Sequence, residues 1–149
     1  MREPYQILSI PYRIVDGTPL FCIFHRADIS YWQFIAGGGE NGETPIKAAI
    51  RETREEIGIE PKNIMQLNSI AYVPAEVITE SRRKHWDKNT HVIPEYCFAF
   101  ECDKEPILSN EHTEYKWLTY DEARKLLKWD SNKVAMYEIN CQLQLLSSR

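Results

Sequence analysis

The chain has 149 residues, 43% of them apolar and 27% charged, the size and make-up of one globular domain rather than of a disordered or fibrous chain. Eighteen basic side chains face 22 acidic ones, for a net charge of −4. This argues against a nucleic-acid backbone or an anionic membrane as the main partner, and leaves room for a small anionic ligand whose charge a metal ion balances. There is no run of about 18 apolar residues to span a bilayer, and the opening MREPYQILSIPY carries charge and proline where a secretory leader is apolar. The four cysteines (Cys22, Cys97, Cys102 and Cys141) form no C-x-x-C pair and no zinc-ligand spacing, so the expectation is reduced thiols in a cytoplasmic protein.

Tyr5 to Val15 is rich in β-branched and aromatic residues, with Pro11 interrupting it, and Asp16-Gly17 is a turn signal. Leu20 to His25 reads as a strand ending at Arg26, and Tyr31 to Ala36 as a short third strand, followed by a loop starting at Gly37-Gly38-Gly39. A helix is predicted over Pro45–Ile57. Thr44 is its N-cap, Pro45 fits its first position, and Gly58 with Pro61 stops it. Ile46, Ala49, Ile50, Thr53 and Ile57 form its apolar stripe. Extended segments follow near Ile64–Val73 and Val92–Cys102, then a strand at Tyr115–Leu118. Thr119 and Glu122 make a capping box for a helix through Leu127. A last helix begins after Asp130 or Ser131, with Val134, Tyr137, Cys141 and Leu145 on one face. Strands with interspersed and terminal helices indicate an α+β domain with a mixed sheet between helices, spanning residues 1–149 as a single unit.

The chemistry concentrates on the helix at Pro45. At about 100° per residue, Glu52, Glu55 and Glu56 share one band beside the apolar stripe, and Ala48 falls within that band. Three carboxylates at i, i+3 and i+4 repel one another. They belong either to a solvated Glu/Arg face or to a site for a hard divalent cation. The glycine-rich stretch before the helix tips the balance towards the site, because it brings backbone carbonyls close to those acids. Glu43, eight residues before Arg51, is placed to pair with it and tie the loop to the helix.

Gly37, five residues, Glu43, seven residues, then Arg51-Glu52-Thr53-Arg54-Glu55-Glu56-Ile57-Gly58-Ile59 resembles the Nudix box, with Thr53 where that family prefers an aliphatic residue. Arg26, Tyr31-Trp32-Gln33, the stretch Glu111 to Leu118 and Trp129-Asp130-Ser131-Asn132 extend the resemblance to the branch of bacterial dATP and dihydroneopterin triphosphate pyrophosphohydrolases. The resemblance implies a Nudix α/β/α sandwich. It also implies Mg²⁺ or Mn²⁺ held by Glu52, Glu55, Glu56 and the backbone carbonyl near Ala36–Gly37, with Glu43 and Arg51 structural. Glu111 matches the distant acid of that branch, as a metal ligand or as the general base.

Other residues have two readings each. Arg26 ends a strand, either solvated or gripping a phosphate with two donors. Arg82, Arg83 and Lys84 form a charge run in the polar segment Glu80–His91, either solvated or covering substrate. Trp32 and Phe34 flank the glycine loop, as stacking platforms or as core. His112 adjoins the proposed acid and is read as structural; His25, His85 and His91 have no ligand spacing. The expected reaction is hydrolysis of a nucleoside triphosphate-like substrate to a monophosphate and pyrophosphate. The alternatives are ADP-ribose (Pro74, 15 residues after Ile59, is the one hint), a dinucleoside polyphosphate, or a nucleotide-sensing module without catalysis. The expected partner is a small polyphosphate, with no nucleic acid and no membrane; a homodimer is left open.

Overall fold

The computed structural model describes residues 1–147. Seven strands and four helices follow one another as β1 (Arg2–Val15), β2 (Thr18–Arg26), β3 (Trp32–Gln33), β4 (Ile35–Glu40), α1 (Pro45–Ile57), β5 (Met65–Pro74), α2 (Glu80–Arg83), β6 (Val92–Glu101), β7 (His112–Leu118), α3 (Tyr120–Leu126) and α4 (Asp130–Ser147), with a short 3₁₀ turn at Ala75–Val77. The sheet is mixed: β1 runs parallel to β6 and antiparallel to β4 and β2.

Pro11 does not end β1; it marks a change of partner. Residues up to Ser9 pair with β4, and those from Tyr12 onward pair with β2. The change falls where proline has no N–H to donate. The hairpin to β2 turns on Asp16 and Gly17, both at positive φ (51° and 81°), the geometry a two-residue turn needs to match strand twist.

Side chains along β1 alternate between two cores, as a strand dictates. Ile7 packs with Phe98 against Ala48 and Ala49 of α1. Leu8 and Ile10 face the other way, against Ala135, Met136, Ile139 and Leu143 of α4. The sheet therefore lies between α1 on one side and α3 and α4 on the other, the α/β/α sandwich. No helix among the described residues is long and apolar enough to cross a membrane, and all four cysteines are free thiols.

The structure corrects the sequence reading in four places. Gly37, Gly38 and Gly39 are not loop but strand β4, paired to β1. They are glycines because of close approach: a Cβ on Gly37 would lie 2.3 Å from the Glu52 carboxyl carbon, and one on Gly39 would lie 2.1 Å from the Tyr5 hydroxyl. Second, the buried face of α1 consists of Ala48, Ala49, Thr53, Glu56 and Ile57, with Ile46 exposed. That face is rotated by about 50° from the expected stripe towards the glutamates. Third, Val134, Tyr137 and Leu145 share a face of α4, but it is the exposed one. Both stripes have helical spacing, and periodicity does not say which meets the sheet. Fourth, Thr44 occupies the N-cap of α1 without a side-chain capping bond.

Thr53 also does more than fill space. Its hydroxyl donates to the Ala49 carbonyl at 2.7 Å and sits 2.9 Å from the Ser9 hydroxyl of β1. A polar pair thus replaces an aliphatic contact between helix and sheet. Gly58 ends α1 at φ 68° with its N–H on the Arg54 carbonyl, and the Thr119–Glu122 capping box of α3 is complete.

Candidate active site

Turning α1 towards its carboxylate band buries Glu56, whose side chain is 3% exposed. Its Oε2 has no hydrogen-bond partner among the described residues. Burial, followed by the negative charges of Glu52 and Glu111, pushes its carboxyl well above the ordinary 4.5. Glu52 lies between Glu56 and the Gly37 backbone and is also raised, first by burial, with Arg51 acting against the shift. Glu55 is half exposed and turned to Arg51, 3.1 Å away. It does not line the cleft, although its charge still reaches Glu52 and Glu56.

Arg51 holds this arrangement in place. Its Nε and Nη2 grip the two Glu43 oxygens at 2.8 and 2.9 Å, Nη2 also donates to the Gly38 carbonyl at 2.8 Å, and Nη1 reaches Glu52 at 3.0 Å. Glu43 in turn accepts from the Glu40 amide, and its carbonyl accepts from the Tyr5 hydroxyl. The fork of the guanidinium thus ties the turn after β4, strand β4 and the first glutamate of α1 together.

Glu111 precedes β7, and its carbonyl accepts the Ala27 amide at 2.9 Å. The fold carries it, with His112, to Glu56. Ligand-capable atoms of Glu56, Glu111 and His112 all lie within 4.8 Å of one another. The imidazole is buried, 3.7 Å from Glu56 Oε1 and tilted against Phe24, and its Nδ1 has no partner among the described residues. Burial, then the nearby Arg26 charge, holds its pKa below the ordinary 6.5. That shift disfavours the imidazolium, the form that would give Glu56 a positive partner. A cluster of one buried and one exposed carboxylate with a buried imidazole, with no ion pair to Lys or Arg among the described residues, offers hard oxygen donors and one nitrogen that fit a divalent metal ion.

The cluster opens into a cleft of about 780 Å³. Arg26 lines it, already holding Asp28 through two bonds of 2.9 and 2.5 Å. Trp32 does not: it packs on the α3–α4 core, edge-on to His25, with Lys116 over its ring. Phe34 is fully buried. Arg82 pairs with Glu40 and Arg83 with the Ile78 carbonyl, both outside the cleft lining. The aromatic rings that do face the cleft are Tyr72 and Trp129, both exposed. Gln6, Glu95 and Ser131 also line it; Ser131 belongs to the Trp129–Asn132 stretch noted in the sequence, whereas Gln6 and Glu95 had only their strand positions to place them by. Asn132 ties the start of α4 to the residue between β3 and β4 by accepting the Phe34 amide at 2.9 Å.

The chain is similar to known proteins along most of its length. A NUDIX domain profile matches residues 15–138. The chain is 29% identical over 138 residues to the dihydroneopterin triphosphate diphosphatase of Escherichia coli K12, covering 91% of each chain. It is 31% identical over 131 residues to the asymmetrical bis(5′-nucleosyl)-tetraphosphatase of Sus scrofa, covering 83% of this chain and 81% of the other. A solved structure from Listeria monocytogenes, described as a NUDIX hydrolase, superposes with a TM-score of 0.81 at 38% identity and 97% coverage of both chains. A family profile that matches most of the chain, with a relative 31% identical over 83% of it, establishes that this protein belongs to the Nudix family of enzymes that hydrolyse phosphoric anhydrides.

Proposed function

We propose that the protein hydrolyses a nucleoside triphosphate-like substrate, of the dATP or dihydroneopterin triphosphate type, to a monophosphate and pyrophosphate. The observation that carries this reading is the Glu56–Glu111–His112 cluster lining a cleft large enough for a nucleotide. The E. coli relative named as a dihydroneopterin triphosphate diphosphatase supports it. A dinucleoside tetraphosphate is the second reading, supported by the relative from pig.

Glu52 and Glu56, with the Gly37 carbonyl, are the residues we assign to hold Mg²⁺ or Mn²⁺, and Glu55 adds negative charge from the rim. When bound, such an ion screens the polyphosphate charge and lowers the pKa of an attacking water. Arg26 at the cleft wall has donors in a fork suited to a phosphate, provided Asp28 yields them. Glu111 accepts the proton of the water, whose oxygen displaces pyrophosphate from phosphorus. Its exposure gives it access to water that the buried Glu56 lacks.

The test is pyrophosphate release with Mg²⁺ across dATP, GTP, dihydroneopterin triphosphate, ADP-ribose and diadenosine tetraphosphate. Glu56→Gln keeps the shape and removes the charge, and its turnover is expected to fall by about 10²-fold or more, as for other preorganised electrostatic groups. A folded variant losing less than about tenfold overturns the assignment. Glu111→Gln is expected to lower kcat with KM nearly unchanged. Rescue of Glu111→Gln by excess Mn²⁺ would instead make Glu111 a ligand.

A further inference from the structure

Glu95 sits in β6, opposite Gln6 of β1 and Ala71 of β5. Along β6 it points to the same face as Cys97 and Ala99, towards α4, and it lines the cleft. Only 7% of the residue is exposed, its Oε1 has no hydrogen-bond partner, and it makes no ion pair among the described residues. The Ser131 side chain lies beside its carboxyl. A buried carboxylate oxygen without a donor is costly, and such atoms are rare in folded proteins unless a ligand completes them. Glu95 takes no part in holding the metal or in the attack on phosphorus.

We propose that Glu95 is a specificity-determining residue that reads the substrate's heterocycle, accepting from a ring N–H and its adjacent exocyclic amine. That pair of neighbouring donors is the 2-amino-4-oxopyrimidine edge shared by guanines and pterins. Two carboxylate oxygens match two parallel donors, whereas adenine offers one donor beside a bare ring nitrogen. The cleft supplies the rest of what a planar ring needs. Trp129 stands two residues from Ser131, its indole N–H held by the Gln33 side chain at 3.2 Å, and Tyr72 is exposed at the wall. Burial raises the Glu95 carboxyl, and two N–H donors from a bound ring offset that cost.

The inference rests on the proposed nucleotide-like substrate, and the experiment separates the two. Turnover of GTP and ATP tests the reaction. Equilibrium binding, with Mg²⁺, of the α,β-methylene analogues of GTP, ITP and ATP tests Glu95. The wild type is expected to bind the guanine analogue about tenfold or more tighter than the adenine or hypoxanthine ones, the last lacking only the exocyclic amine. Glu95→Gln presents one acceptor and one donor, and is expected to bring the adenine analogue level with or ahead of the guanine one. Equal wild-type affinities within about threefold, no binding of any analogue, or an unchanged ratio in a folded Glu95→Gln would overturn the assignment. If Glu95→Gln does not fold, the guanine-to-hypoxanthine ratio of the wild type decides. Absent turnover with the expected binding ratios would remove the proposed reaction and leave Glu95 as the reader of the ring.

Discussion

Arg51 shows how one side chain sets the shape of a site it does not line. Its side chain is only 20% exposed and satisfies two Glu43 oxygens, a strand carbonyl and Glu52 at once. Losing it leaves Glu43 and Glu52 partly buried without their counter-charge, and breaking such pairs is costly. Because the group is partly solvated, the expected cost of Arg51→Ala is about 2 kcal/mol rather than the full buried-pair value. A drop in Tm of about 4–8 °C follows for a chain of this size. Thermal denaturation with Mg²⁺ present and absent reads it. If Tm is unchanged while KM rises steeply, Arg51 contacts substrate instead of supporting the strand. Arg2 is a second buried guanidinium, bonded to the Tyr5 and Glu3 carbonyls and to the Gln6 side chain. It occupies the space that Gly38 leaves beside it.

At the scale of elements, the contact between β4 and α1 depends on the absent side chain of Gly37. Gly37→Ala places a Cβ where the Glu52 carboxyl lies. Either the helix moves or Glu52 swings away, and overpacking of this kind costs about 1–3 kcal/mol. The expected outcome is a modest loss of stability with a larger loss of Mg²⁺ affinity, measured by titrating activity against the metal. Wild-type metal dependence in Gly37→Ala would show that Glu52 does not need the Gly37 backbone.

Helix α4 is fixed to the sheet by a different device. The register of β5 against β6 breaks between Gln66 and Ile70. The amides of Asn68 and Ser69 there donate to the Glu138 carboxylate at 2.7 and 2.8 Å, and the Ser69 hydroxyl donates at 2.6 Å. Glu138→Ala leaves those amides to water, with an expected cost of about 1–2 kcal/mol. Hydrogen exchange at Asn68 and Ser69 should quicken in this variant; unchanged exchange would show that the carboxylate does not protect them.

For the whole molecule, the site couples stability to pH and metal. Without a cation, the native state holds Glu56 protonated above the ordinary 4.5, whereas the unfolded chain releases that proton. The contribution to stability is therefore complete below 4.5 and is lost as pH rises through the raised native value. In EDTA, Tm is expected to decline over this interval. Saturating Mg²⁺ should raise Tm and flatten the decline, since a ligand that binds only the native state stabilises it. Glu56→Gln should make the EDTA decline shallower, leaving the part that the raised Glu52 and Glu95 carboxyls contribute. A wild-type Tm that rises with pH across that interval in EDTA would contradict the protonated native state.

Local chemistry was enough for much of this protein. The start and stop of α1, the Asp16-Gly17 hairpin, the capping box of α3 and the Glu43–Arg51 pair depend on neighbours within about a dozen residues, and the spacing of the box glutamates belongs to a single helix. What the sequence left open were questions of facing. Two apolar stripes of α4 have equal periodicity, and only packing against Leu8 and Ile10 selects Ala135, Met136, Ile139 and Leu143. The glycines read as a loop because nothing local shows that Arg2, Tyr5 and Glu52 fill the space beside them. The move of Trp32 to the core, the arrival of Glu111 and His112 beside Glu56, and the isolation of Glu95 all join residues far apart in the chain. Spacing along a chain specifies which side chains share an element's face; only the tertiary fold decides what that face meets, and therefore which acids are left buried without a partner.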